Sequence, residues 1–371
     1  MATRNACGGG LAPRAHFDMT SRGLGRGALV AGAVLALAYP LPFDAGGYVY
    51  YETVGFLVLI NAMLGVGWNV IGGWAGQFDF GPNVFFAFGA YVAALLAVHA
   101  GANAWLGLLA GALASALVCA LLTYPITRLR GHYFAIATVA MWMIAQPIGA
   151  TWEFINGSRG LFIPIEPASG LAHGFLTLQF PGRTKGLGFY YVALVLFALV
   201  MWAARAVERS KLGYYFRAIR DDQEGAEGIG INSRAYKVAA RSIMAAIFGA
   251  GGVLYSFWAL AVFPDQVLDV NWNVLPMMAT VVGGIGRLWG PVLGAVILIP
   301  ISQLMTATLG SGPLAGRGID LIIYGAVIMV IAAGRPNGLL SLPWGRWLAR
   351  LSGNAAPGLP RPARGEGPGG Q

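Results

Sequence analysis

Charge is what this sequence most lacks. Only 11% of its 371 residues are Asp, Glu, Lys or Arg, where soluble domains carry roughly 25%. Together with 57% hydrophobic residues, that shortage excludes a disordered chain and an ordinary soluble enzyme. Cysteine is nearly absent too. Cys7 and Cys119 are the only two, the second inside an apolar run, so no disulfide framework or cysteine-rich metal site is implied. The four histidines (His16, His99, His132 and His173) show no ligand spacing and read as interfacial or loop residues. No G-x-x-x-x-G-K-S/T loop occurs, so the chain has no phosphate cradle of that kind and is not expected to hydrolyse ATP. Gly23-x-Gly25-x-Gly27 follows no strand and is no dinucleotide site. Neither a cofactor nor an enzymatic activity is expected.

What remains is a polytopic membrane protein, all-α. The 39 charged residues cluster: residues 28–204 hold ten, residues 238–333 hold six, and the 33 residues of 205–237 hold twelve. Two membrane blocks are thus joined by one concentrated polar segment. Spanning helices need about 20 mostly apolar residues, because lipid offers no partner to a loose peptide group. The apolar runs predict spans at 28–43, 53–72, 84–100, 104–126, 132–151, 189–206, 238–263, 273–285, 288–308 and 319–334, with 273–285 short enough to be re-entrant or broken. This gives an N-terminal arm over 1–27, a membrane domain over 28–334 and a Gly/Pro-rich C-terminal tail over 335–371. An N-terminus inside and ten crossings place twenty Lys and Arg on the inner side and four on the outer. The positive-inside rule supports that orientation, with both termini cytoplasmic. The +9 net charge then reflects cytoplasmic loops rather than nucleic-acid binding. A rival reading takes the apolar run ending in Ala36-Leu37-Ala38 as a cleaved signal, which leaves the later topology unchanged.

Within 205–237, Leu212, Tyr215, Phe216 and Ile219 recur at helical spacing, interleaved with Arg209, Lys211, Arg217 and Arg220. Asp221-Asp222 precede a short stretch to Glu227, and Gly228-Ile229-Gly230 supply a turn before the next membrane helix. The segment reads either as a solvated loop or as a compact helix that docks on a partner. Two glycine-rich interruptions stand elsewhere: Gly72, Gly73, Gly76, Gly81 and Pro82, then Gly283, Gly284, Gly286, Gly290 and Pro291. They read as breaks flanking a path or gate, or as close packing through small residues. Their similar wording hints at an internal repeat. Asn61, Asn69, Gln77, Asn83 and Gln146 are the neutral polar candidates near such a path, or else interhelical hydrogen-bonding groups. Asn156 and Ser158 lie in the longest outer loop, 152–188, where Asn156 to Leu161 read as an outer closure, a contact for an external partner, or a mere connector. Carboxylates suited to carrying a coupling proton (Asp44, Glu52, Asp79, Asp265, Asp269 and Asp320) lie at predicted span edges, which weakens a proton-coupled mechanism.

Glu224-Gly225-Ala226-x-x-x-Gly230 resembles the E-A-A-x-x-x-G signature of ABC importer permeases, with glycine for the first alanine. Asn69 to Gln77, Gly81 to Tyr91, Leu129 to Ile136, Asn156 to Leu161, Leu212 to Lys237, Gly283 to Gly286 with Gly290-Pro291, and Arg335-Pro336-x-Gly338-Leu339 resemble, in family order, the branched-chain amino acid ABC transporter permeases of the longer, M type. His132, where that family often carries an acid, and the bulky Trp152-Glu153-Phe154 are departures that bear on the solute rather than the fold.

The resemblance implies an inner-membrane permease subunit working with a second permease, two ABC ATPases and an external solute-binding protein. Arg217, Arg220, Asp221, Glu224, Glu227 and Gly230 would then couple to the ATPase. Urea, short amides or aromatic acids are alternative solutes. A self-sufficient secondary transporter or channel is the alternative mechanism.

Overall fold

Runs of twenty or so apolar residues leave the backbone one option in lipid, which is to satisfy its own hydrogen bonds as helix. The computed structural model describes residues 34–40, 49–127, 132–163, 187–309 and 325. The helices are α1 (Val49–Trp68), α2 (Asn83–Ala100), α3 (Ala104–Ile126), α4 (His132–Thr151), α5 (Leu187–Arg209), α6 (Lys211–Asp221), α7 (Gln223–Gly228), α8 (Ser233–Ala259), α9 (Pro264–Val267), α10 (Asn271–Gly283) and α11 (Gly290–Leu309). Seven of these are long and apolar enough to cross a membrane. The eighth expected run, 273–285, is the 13-residue α10, which at about 1.5 Å per residue falls well short of a ~30 Å hydrocarbon core. Of the expected run 28–43, residues 34–38 are helical. The run 319–334, the arm 1–27 and the tail 335–371 lie outside the described residues, apart from Gly325.

Local chemistry sets several ends. Asn103 caps α3 by accepting from the Trp105 amide at 3.0 Å, and Asn232 caps α8 through the Ala235 amide at 3.2 Å. Gly101, at φ 55, ends α2 in the left-handed conformation that glycine takes without penalty.

α8 is the spine. It packs along α3 and α2, and also meets α1, which is itself enclosed by α5, α10 and α11. The α2–α8 contact is backbone on backbone: a Cβ on Gly89 would sit 2.5 Å from the Gly249 Cα. Small residues permit such approach where helix association depends on packing rather than on the hydrophobic effect. α3 and α4 turn their outer faces away from the bundle, exposing Leu109, Leu113, Leu117, Leu121, Ile136 and Ile144. At the end of α8 opposite the polar loop, a short antiparallel sheet pairs β1 (Leu161–Phe162) with β2 (Ala261–Val262). Ile163 extends it by donating to the Leu260 carbonyl at 3.0 Å.

Candidate functional site

Two interrupted helices meet near the polar-loop face. α1 continues past Trp68 as a π-helical stretch, Asn69–Trp74, with all six residues buried. The irregular segment 75–82 then leads into α2. α10 turns through Gly284 (φ 126) and Gly286 (φ 79) into α11. The two breaks bind each other. Asn69 Nδ2 donates to the Arg287 carbonyl at 3.1 Å, and Asn69 Oδ1 accepts from the Gly286 amide at 2.8 Å. The Trp74 indole N–H donates to the Gly286 carbonyl at 3.2 Å. Peptide groups released from a broken helix in lipid need substitute partners, and side chains of the first break supply them to the second. The approach leaves no room for a side chain at residue 73, whose Cβ would lie 2.7 Å from the Gly286 nitrogen.

The polar loop reaches this junction through one side chain. α6 turns Gly213, Phe216 and Ile219 inward, close to the expected periodicity. Arg220 follows them, and its Nη1 donates to the Gly73 carbonyl at 2.9 Å. Its Nε and Nη2 hold Asp221 Oδ1 at 3.1 and 3.0 Å. Gly76, at φ 70, lies under the Arg220 stem, where a Cβ would come within 2.5 Å of Arg220 Cγ. Arg217 points the other way. It donates to the Gly213 and Glu208 carbonyls at 3.1 and 2.9 Å and lies over the Tyr214 ring, stapling the corner between α5 and α6.

α7 is short, and its stability comes from side chains rather than length. Asp222 caps it, accepting from the Glu224 and Gly225 amides at 3.0 and 3.1 Å. Glu227 accepts from Gln223 Nε2 at 2.8 Å and from the Ser233 hydroxyl. Gln223 in turn accepts from Lys237 Nζ at 2.6 Å, which fastens α7 to the first turns of α8. Glu224, Ile229 and Gly230 face outward, and Ile229 is 78% exposed. Gly230 takes φ 89 with open space around it.

The remaining amides disperse. Asn83 ties the start of α2 to the start of α10: its backbone N–H donates to Asn273 Oδ1 at 2.8 Å, and its Nδ2 donates to the Leu268 and Asp269 carbonyls at 2.9 and 3.2 Å. Gln77 is buried beside the π-helical stretch, its backbone N–H donating to Ile71. Asn61 donates within its own helix, to Leu57. Gln146 lies apart, exposed on α4. At the opposite face Asn156 takes φ 59, and Ser158 donates to the Ala150 carbonyl at 3.1 Å, closing a tight turn after α4.

Residues 50–332 match the family described as branched-chain amino acid transport system, permease component. The chain belongs to that family. The LivM permease protein of the high-affinity branched-chain amino acid transport system of Escherichia coli is 28% identical over 345 residues, 89% of this chain and 78% of that one. The Salmonella typhimurium LivM protein is 27% identical over 85% of this chain and 74% of its own length. The Pseudomonas aeruginosa BraD permease protein is 24% identical over 76% of this chain and 92% of its own. No solved structure matches the chain.

In this permease one feature went unread in the sequence. Arg241, near the inner end of the expected span 238–263, is fully buried in α8. Its Nε donates to Asp79 Oδ2 at 2.6 Å, its Nη1 donates to Thr123 Oγ1 at 3.0 Å, and its guanidinium lies between the Phe85 and Phe134 rings at 5.3 and 5.4 Å. Asp79, also fully buried, accepts from the Gly81 amide at 2.9 Å on Oδ1, and its carbonyl accepts from the Trp68 indole at 2.8 Å. An arginine eight residues inside a membrane helix was the available signal, because buried charges are expensive and need a partner. Trp74 and Asn273 gave no such signal; only the fold shows their partners.

Proposed function

We propose that this chain is the permease subunit of an ATP-driven importer for branched-chain amino acids or a related small solute. It sits in the inner membrane with both termini cytoplasmic. Its partners are a second permease, two ABC ATPases and an external solute-binding protein. The names of its relatives support the solute class, and the lack of a phosphate loop in the sequence supports ATP hydrolysis by other subunits.

The observation that carries the coupling half of the reading is the Arg220 contact with Gly73. α6 and α7 form a compact two-helix loop whose outer tip is Glu224, Ile229 and Gly230 and whose inner side is wired to a break in a membrane helix. A push received at the tip therefore reaches the junction of both breaks. Asp221, Glu224 and Gly230 present the docking face. Arg217 and Glu227 keep it rigid, and Arg220 transmits. Ile229 adds an apolar anchor of the kind that dominates protein interfaces when a partner pocket receives it. The junction with Asn69, Gly283, Gly284 and Gly286, flanked by Gln77 and Asn83, is the gate region. Asn61, bonded within α1, and Gln146, exposed on α4, are left out of the gate region, and the Asn156–Ser158 turn is the outer rim. Neutral amides suit a zwitterion or neutral solute better than an ion. Asp79, one of the carboxylates a self-sufficient secondary transporter could use, is held in an ion pair with Arg241.

The test is a pull-down of the tagged chain from its own membranes in mild detergent, with Ile229→Asp alongside. The wild type should bring down two P-loop ATPases and a second permease. Ile229→Asp should recover at least ten-fold less ATPase with an unchanged melting profile. A wild-type chain that comes down alone overturns the reading.

A further inference from the structure

The segment between Gly73 and Asp79 is held at both ends by the polar loop and the helix that follows it. At one end Arg220, at the close of α6, donates to the Gly73 carbonyl. At the other Arg241, two turns into α8, holds Asp79 at 2.6 Å. Between the two grips the chain bows through Gly76, the one residue there in the left-handed region, with Phe78 half-exposed. α6 and α8 are joined through α7, itself pinned by the Lys237–Gln223–Glu227–Ser233 chain of hydrogen bonds. The loop and the bow therefore close a ring.

We propose that Asp79 and Arg241 are positioning residues for transport. Their ion pair is the second point of a two-point clasp that makes residues 73–79 move as one body with α6–α8. This rests on the coupling reading of the polar loop. Trp74, Gln77 and the Asp79 carbonyl tie the segment to α10–α11 and to α1. Among the described residues, hydrogen bonds from the two arginines alone tie it to α6 and α8, so with one grip lost a push on α6 reaches it at Gly73 alone. Two grips fix its register. The chemistry of the second grip matters. An apolar contact slides by an ångström at little cost, whereas separating two fully buried opposite charges leaves each without compensation. Thr123, the Trp68 indole, the Gly81 amide and the two phenyl rings surround the pair from α1, from the segment before α2, and from α2, α3 and α4, which fixes where the two charges meet.

The pair is replaced by Asp79→Leu with Arg241→Met, and the complex is reconstituted with its ATPases and binding protein. Because apolar pairs commonly substitute for buried ion pairs without loss of stability, assembly and melting should hold. Solute moved per ATP hydrolysed should fall at least ten-fold. An unchanged ratio would show that the pair only fills space, and the clasp would be wrong. Should the double variant fail to assemble, Asp79→Asn with Arg241→Gln decides: it removes both charges while keeping polar side chains in place. A normal transport ratio there also overturns the clasp. Absence of ATPases from the wild-type pull-down defeats the coupling reading alone. A normal ratio in an ATPase-loaded variant defeats the clasp alone.

Discussion

Asn69 is a single side chain whose two ends do opposite work, donating to one break residue and accepting from its neighbour. Leucine has the same bulk and neither function. Asn69→Leu should leave the Gly286 amide and the Arg287 carbonyl without these partners, each at a cost of about 1–3 kcal/mol. Melting in detergent should drop by several degrees while Asn61→Leu, which gives up one bond within its own helix, changes far less. Equal effects would mean that the junction contributes nothing special. Residues differ in how legible they were. Asn69 is one of five neutral amides expected either near a path or in interhelical hydrogen bonds, and the fold gives it hydrogen bonds to the other break. The Arg241–Asp79 pair spans 162 positions of sequence, and nothing local to either residue names the other. Arg220 was picked as a docking residue, but the structure turns part of its guanidinium inward, and only the fold places a carbonyl there.

Helices came through well where composition alone decides them. The runs 104–126 and 132–151 match α3 and α4 residue for residue, since Asn103 starts the first and the charged stretch before His132 separates the two. Ends drifted where tertiary contacts decide, as with α8, which begins at Ser233 rather than 238 because Asn232 caps it and Glu227 receives the Ser233 hydroxyl. The π-helical stretch was not foreseen as such, only as a break. α7 supports a prediction at this scale. With six residues it depends on its cap, so Asp222→Ala, a change that typically costs about 1 kcal/mol, should release it. Hydrogen exchange at Glu224–Gly228 should rise while exchange in α6 stays as it was. Protection unchanged at Glu224–Gly228 would mean that the Gln223–Glu227–Ser233 bonds suffice without the cap.

For the whole molecule, the distribution of basic residues predicts which face of the membrane each loop meets, and the burial of Arg241 within α8 leaves that imbalance in place. With Cys7 and Cys119 removed, a cysteine at Ser158 should react with a membrane-impermeant maleimide in intact cells. One at Glu224 should react only after permeabilisation. The reverse pattern would invert the orientation and place the two-helix loop where no ATPase can reach it. Both positions are exposed, so labelling reports side rather than burial.

The small sheet between Leu161–Phe162 and Ala261–Val262 gives this arrangement a further consequence. It rivets the turn after α4 to the far end of α8, whose near end carries α7. α8 has 27 residues, a rod about 40 Å long at about 1.5 Å per residue, so a tilt of about 5° around its middle moves either end by roughly 1.7 Å. Seesaw-fashion, the two faces then shift in opposite directions on one stroke, and neither can be displaced without the other answering.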